Sequence, residues 1–312
     1  MVNGLNLLFQ FLDSFAFIVL AAVGLAIIFG IMGVINLAHG EFIMVGAYAT
    51  TLANIRAGLP LPVAMLVGVV VAAAFGLVVE RVIISGSVPN ALSQRFLGRD
   101  VIEPLYDRLA DSMVATWGLS LVMVQGIRIT LGNSLDQIGT PLGKIAYSGF
   151  SYSTYRVLLA GVAVCLLVVT YYVFTRTEYG MRARATIQSE ETARALGVDT
   201  ERTYMTTFAI GSGLAGLTGA LYAPTITMVP TLGGSFLVEA FVAVVVGGSS
   251  VVLGTLLAGG LLGSINALFS NLVGTFFGRI ALLVTAIVML RFLPNGITGY
   301  LEHLRTKRQE GA

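Results

Sequence analysis

What constrains this chain most is a series of apolar stretches of membrane-spanning length. Phe11 to Val34 carries Asp13 as its only charge, and a bilayer core of about 30 Å needs roughly 20 such residues in a helix. His39 to Ala53 comes next, after a short polar knot. Leu61 to Ile84 is opened by Pro60 and Pro62 and closes near Glu80 and Arg81. Ser112 to Leu131 is interrupted by Gln125 and Arg128, and Arg156 to Phe174 has no interruption. Tyr204 to Val229 is rich in glycine, Ser235 to Phe269 is broken by Gly247-Gly248-Ser249-Ser250, and Arg279 to Leu293 is stopped by Pro294. Continuous runs suit helices, which satisfy their own backbone groups in lipid. Membrane β-strands would show shorter segments of alternating polarity.

Composition agrees. Charged residues make up 11% of the 312 residues and apolar ones 56%, with a mean hydropathy of +0.88. A disordered chain and a soluble enzyme are both excluded. A net charge of +2 gives no basic field for nucleic acid. Cys165 is the only cysteine and His39 and His303 the only histidines, so neither an internal disulfide nor a cysteine- or histidine-based metal site is available. The expected fold is an all-α polytopic helical bundle of eight or nine transmembrane segments with discontinuous helices, one domain over 1–312. The first run has no basic residue before it, the first being Arg56, so it reads as a retained helix and not as a signal peptide.

Short cytoplasmic loops collect Lys and Arg. Arg176, Arg182, Arg184, Arg194 and Arg202 fall in 176–203, and Arg81, Arg95, Arg99 and Arg108 in 80–111. The tail 303–312 holds Arg305, Lys307 and Arg308. The connections 54–60 and 132–154 have one basic residue each, Arg56 and Lys144. The first three regions, including the 85–111 loop, are therefore expected in the cytoplasm and the last two outside. Residues 1–55 contain no Lys or Arg, so charge leaves the side of the N-terminus open. It faces outward if 39–53 crosses fully, giving nine spans, and inward if that run is re-entrant, giving eight.

Four features carry candidate chemistry. Asn36-Leu37-Ala38-His39-Gly40-Glu41 places three polar side chains between apolar runs. Such groups in hydrocarbon need partners or water, so the stretch reads either as a broken helix lining a substrate path or as a wet interfacial loop. Metal ligation by His39 fails for want of partner ligands. Glu239 is a lone carboxylate near the start of an apolar run, at the interface or facing the path. Arg128 and Arg279 lie near predicted span ends, where snorkelling accounts for them.

The third feature is 177–199, whose composition predicts two short surface helices. Ser189 caps the second, Glu190 and Glu191 fill its first turn, and Gly197 ends it. It reads either as a rigid docking element or as an ordinary basic loop. The fourth is the glycine spacing in 211–219 and 254–263, which predicts close helix packing. The region 85–111 reads as a solvated connection, with a short helix expected at 103–111. No phosphate-binding loop, zinc-protease or serine-nucleophile motif occurs.

Residues 24–42, GLAIIFGIMGVINLAHGEF, resemble the N-terminal signature of the LivH-like permeases of branched-chain amino acid ABC importers. Ala115-Thr116-Trp117-Gly118-Leu119-Ser120, Gly180 to Ala185, Ala195 to Val198 and Phe208 to Gly219 are similar to further landmarks of that family. The resemblance covers nearly the whole chain and departs longest at 85–111.

The resemblance implies a permease subunit in a bacterial inner membrane. It would pair with a second, LivM-like permease, two cytoplasmic ATPase subunits and a periplasmic or lipid-anchored binding protein. The chain itself would bind no cofactor, ATP being used by the partners, and would not be an enzyme. Asn36, His39, Glu41 and Glu239 are then the substrate-path candidates. The family's ATPase-contacting loop would match Glu178, Tyr179, Gly180, Arg182, Ala183, Thr192, Ala193, Leu196 and Gly197. The family includes urea and short-amide permeases, and Gly211 to Gly216 and Gly278 to Val284 look somewhat like that branch. An ATP-independent transporter or channel is the runner-up; it would need buried charges for ion coupling, and only Glu41 and Glu239 qualify.

Overall fold

The computed structural model describes residues 2–97, 103–106, 108–147, 150–248 and 250–310. Arg99, counted above toward the cytoplasmic charge, lies outside them, as does Ser249 of the glycine-serine break. The chain is helical almost throughout. Among the described residues, six helical stretches are long and apolar enough to cross a bilayer: Gly4–Met32, Leu61–Ile84, Leu109–Leu131, Thr154–Arg176, Val251–Leu272 and Thr275–Lys307. Three further helices, shorter or more polar, fall in runs that the sequence also marked. They are α2 (His39–Ile55), α9 (Thr200–Tyr222) and α10 (Leu232–Gly247).

The helices form two compact units. One comprises 27–139 and 172–237, and its centre is α2, α3 (Leu61–Val79) and α9. Phe42 of α2 packs on Phe75 of α3 and Phe208 of α9, with ring centroids 5.6 and 5.8 Å apart. Further along, Gly46 abuts the backbone of Gly216, and a side chain on Gly219 would strike the carbonyl of Ile43. Gly68 meets Thr50, and Gly76 meets Ser212. This pairing order runs α3 antiparallel to both α2 and α9. The glycines are thus packing faces, as their spacing predicts. Because α9 is buried on nearly all sides, it needs no lipid-facing apolar coat and tolerates Thr203, Thr207, Ser212 and Thr218.

The other unit comprises 1–26, 140–171 and 238–312. Here α11 (Val251–Leu272) and α12 (Thr275–Phe292) form a hairpin at Gly274, φ +118°. Phe15 and Val19 of α1 (Val2–Met32) lie over Gly259, and Phe15 over Gly263. Polar side chains tie the same elements. Asn6 donates to Asn271 at 3.0 Å, Asn266 donates to Ser14 at 3.0 Å, and the Tyr152 hydroxyl donates to Asn6. Asp13, the lone charge of the first run, pairs with Arg156 at 2.6 Å. The break between α10 and α11 is clamped by Thr298 of α13 (Gly296–Glu310), which donates to the Gly247 carbonyl at 2.8 Å and accepts from Ser250 N–H at 3.3 Å.

Three local expectations are corrected. The region 85–111 is not simply a solvated connection, because Ser87–Leu97 is a helix (α4) with Pro89 tolerated in its first turn. The short helix expected at 103–111 is absent, since 103–105 is irregular, Tyr106 turns, and α5 (Leu109–Leu131) starts directly after. A small antiparallel pair, β1 (Lys144–Tyr147) with β2 (Phe150–Ser153), was not foreseen. It is held by four residues a side in a polar loop whose alternation is too short to read.

Candidate translocation site and docking surface

The apolar helix α1 stops at Met32, where Gly33 takes φ +62° and turns the chain. From this turn to the start of α2 the polar side chains are not wet: Asn36, His39 and Glu41 are 1%, 0% and 4% exposed. The interfacial-loop reading of this stretch is therefore replaced by a buried helix break. Its backbone is satisfied locally and by α5. The Asn36 side-chain oxygen accepts from Ala38 N–H at 3.0 Å, and Leu37 N–H donates to the Thr116 hydroxyl at 3.0 Å. Thr116 itself donates back to the Ser112 carbonyl at 2.7 Å. One turn along α5, Ser120 donates to Glu41 Oε1 at 2.8 Å. Two sequence motifs far apart in the chain, 36–41 and 115–120, are thus brought together.

The break is left incomplete on one side. Glu41 Oε2 and Asn36 Nδ2 are buried and meet no hydrogen-bond partner among the described residues. Two hydroxyls further along α2, those of Tyr48 and Thr51, are in the same condition. Each such group costs about 1–3 kcal/mol, more if charged, unless water or a ligand reaches it. Tyr48 and Thr51 escaped sequence reading because single hydroxyls in an apolar run carry little signal, although 41 and 48 are two helical turns apart on one face. Ser120 was visible only as part of its motif.

Glu239 belongs to the other unit. It sits on α10, nearly buried, and pairs with Arg279 of α12 at 2.9 Å. Arg279 thus does more than snorkel. Arg128 is exposed and donates to Gln125 at 3.3 Å, as a residue near a span end would.

The stretch 177–199 forms the two helices predicted. In α7 (Glu178–Gln188), Thr177 caps by accepting from Gly180 N–H at 3.2 Å. In α8 (Glu190–Ala195), Ser189 accepts from Thr192 N–H at 3.2 Å. Gly197 ends the pair at φ +85°. The residues singled out from the sequence divide by burial. Gly180, Ala183 and Ala193 face inward, and a side chain on Gly180 would strike the carbonyls of Val173 and Phe174. Tyr179 is partly covered and its hydroxyl meets that of Thr207 on α9 at 2.7 Å. Glu178, Arg182, Thr192, Leu196 and Gly197 are exposed. All but Thr192 border a concavity of about 870 Å³ between α7 and the start of α9, which Arg202 and Thr206 also line. Met181, Ile187 and Leu196 leave 59%, 50% and 79% of their surfaces bare beside a helix pair rich in arginine. The sequence reading did not single out Met181 and Ile187.

A polytopic bundle with a buried polar helix break and a capped external helix pair is now in view. Residues 7–293 match the family model described as branched-chain amino acid transport system, permease component. The chain belongs to that family. Its relatives include the high-affinity branched-chain amino acid permease LivH of Escherichia coli, 28% identical over 90% of each chain. The probable LivH of Methanocaldococcus jannaschii is 27% identical over 90% of this chain and 88% of its own. BraD of Pseudomonas aeruginosa is 27% identical over 90% and 91%. No solved structure matches. The family makes this a multi-pass membrane permease.

Proposed function

We propose that the chain is one permease of an ATP-driven importer for branched-chain amino acids, with the buried break at 33–41 in the solute path. The observation that carries this reading is the pair of unsatisfied groups, Glu41 Oε2 and Asn36 Nδ2, held beside Ser120 in a chain of this family. A carboxylate and an amide turned to no protein partner suit a small polar solute or its water. The relatives named above are all branched-chain amino acid permeases, which favours that solute class over urea or short amides.

In this reading α7 and α8 receive a cytoplasmic ATPase. The bare Met181, Ile187 and Leu196 supply apolar anchors, and Glu178 and Arg182 a charged rim. Gly180, Ala183 and Ala193 hold the helices in place and touch no partner. ATP is bound by the ATPase, and this chain contributes no cofactor site. A second, LivM-like permease and an external binding protein complete the assembly. The tie of Asn6 to Asn271 and Tyr152 puts the start of α1 at the end of its unit that carries β1 and β2. With 132–154 outside, as its single basic residue Lys144 predicts, the N-terminus is outside, α2 crosses, and nine segments result.

The test is reconstitution of the chain with its partner permease, ATPases and binding protein in liposomes. ATP-dependent uptake of labelled leucine is expected, with urea excluded. Solute movement through the chain alone, without ATP, would refute the reading in favour of a channel or secondary transporter.

A further inference from the structure

In the segment on which the resemblance departs longest, 85–111, Tyr106 packs on Tyr204 of α9, whose hydroxyl reaches the docking helix α8. The elements involved all lie in the same compact unit. Helix α3 ends in a π-helical turn, Glu80–Ile84, an irregularity that recurs at functional sites. The segment returns to this turn: Leu105 N–H donates to the Ile84 carbonyl at 2.8 Å, and the Tyr106 hydroxyl donates to the fully buried Glu80. Burial and the Glu80 carboxylate hold the Tyr106 hydroxyl far above its ordinary range, so it remains a donor. The Tyr106 ring packs on that of Tyr204, centroids 4.5 Å apart. Tyr204 stands on the second turn of α9, 4% exposed, and its hydroxyl donates to Glu190 Oε2 at 3.1 Å. Glu190 opens α8, where its other oxygen accepts from Arg194 at 2.5 Å. Arg194 also donates to Thr200 at 2.8 Å.

A second, outer tie runs beside the first. Arg81 of the π turn pairs with Glu201 of α9 at 2.5 Å and reaches the Met205 sulfur at 3.0 Å. Beside these ties lies a cleft of about 370 Å³ lined by Asn90, Gln94, Arg194 and Glu201 among others. The aromatic pair is a buried route by which a displacement of α8 would be passed to the end of α3, and α3 is the helix packed along both α2 and α9.

We infer that Tyr106 and Tyr204 are positioning residues, forming a strut between the docking helix α8 and the π turn of α3 that couples ATPase movement to the solute path. This rests on the docking reading above. Neither residue touches solute. Their work is to make α8 and α3 move as one body, and without them the ATPase would turn over while the permease lagged.

Two measurements test it. The first is hydrogen exchange of the 190–199 amides in the full chain in detergent, with no ATPase present. Tyr106→Ala is expected to speed exchange there about tenfold, and Tyr204→Phe about fivefold. The second is solute moved per ATP hydrolysed in the reconstituted importer. That ratio is expected to fall at least fivefold in both variants, with ATPase co-purification and hydrolysis retained. Tyr106→Phe keeps the ring stack but loses the hydroxyl on Glu80, so its ratio should fall between those of Tyr106→Ala and the parent; it and Tyr204→Phe carry the test if Tyr106→Ala does not fold. Unchanged exchange at 190–199 overturns the strut. Faster exchange with an unchanged transport ratio overturns its role in coupling. Failure of the parental chain to hold an ATPase sinks the docking reading, and the coupling claim with it, before any variant is compared.

Discussion

The break at 33–41 and the helix pair at 177–199 both interrupt an apolar chain with polar residues, and they treat those residues in opposite ways. In the helix pair the polar groups close on one another: Thr177 and Ser189 cap, Glu190 is shared by Arg194 and Tyr204, and Arg182 reaches Glu178 at 3.3 Å. Beside its exposed charged side chains it also leaves apolar ones bare, at Met181, Ile187 and Leu196. The break does the reverse. Its apolar neighbours are packed, and what it leaves bare is polar, at Asn36, Glu41, Tyr48 and Thr51. A surface whose caps and ion pairs are made within itself and whose greasy groups are open suits a protein partner. A buried site whose polar groups are open suits something small and polar that passes through.

Glu41→Ala tests the buried half of that contrast most severely. It removes the acceptor of Ser120 and the open oxygen together, and uptake should fall roughly 10- to 100-fold, the scale of a lost charge-assisted hydrogen bond. Co-purification with the ATPase should not change. Loss of ATPase binding in step with uptake would erase the distinction between the two regions. Glu41→Gln keeps an acceptor for Ser120 and should fall between.

Leu196→Asp tests the outer half. The residue is 79% exposed, so the chain should fold normally. An apolar anchor at an interface contributes about 2 kcal/mol, so ATPase affinity should weaken roughly 30-fold in a pull-down titration. Met181→Asp should act in the same direction. Gly180→Asp is a poorer probe, because its side chain meets the Val173 and Phe174 carbonyls and would disturb α7 itself.

Much of this contrast was readable in the residues, for physical reasons that also set its limits. The helix pair was legible because caps and stop signals act within four residues, so Ser189 and Gly197 announce α8 without help from the rest of the fold. The main spans were legible because lipid imposes a length. The polar knot at 36–41 was legible as an anomaly, while its burial was not, since burial depends on Thr116 and Ser120 from a helix some 80 residues on. Nor could sequence separate Gly180 and Ala193, which hold the helices, from Leu196, which is open. Small residues look alike whether they are covered or bare. The ties of Glu239 to Arg279 and of Tyr106 to Glu80 were hidden for the same reason, being long in sequence and made by single pairs.

Ser120→Ala is a gentler probe of the break. It takes away the hydrogen bond to Glu41 Oε1 and leaves both carboxylate oxygens without a side-chain donor. Uptake should drop about tenfold, near 1.4 kcal/mol, and Ser120→Thr should restore part of it. If alanine is neutral, Glu41 is held by something other than α5, and the joining of the two motifs has no functional weight.

The smallest effect belongs to the cap of α8. Ser189→Ala leaves the Thr192 amide without its side-chain acceptor and should cost about 1 kcal/mol of local helix stability, seen as roughly fivefold faster exchange of the 190–195 amides. Because the interruption at 177–199 is saturated, one lost cap leaves Glu190 still bound to Arg194 and Tyr204. Uptake should therefore stay within about twofold of the parent, in contrast to the larger penalty at Ser120 for a loss of one hydroxyl of the same kind. Equal penalties at Ser189 and Ser120 would mean that saturation gives no protection, and the physical difference drawn between the two regions would not hold.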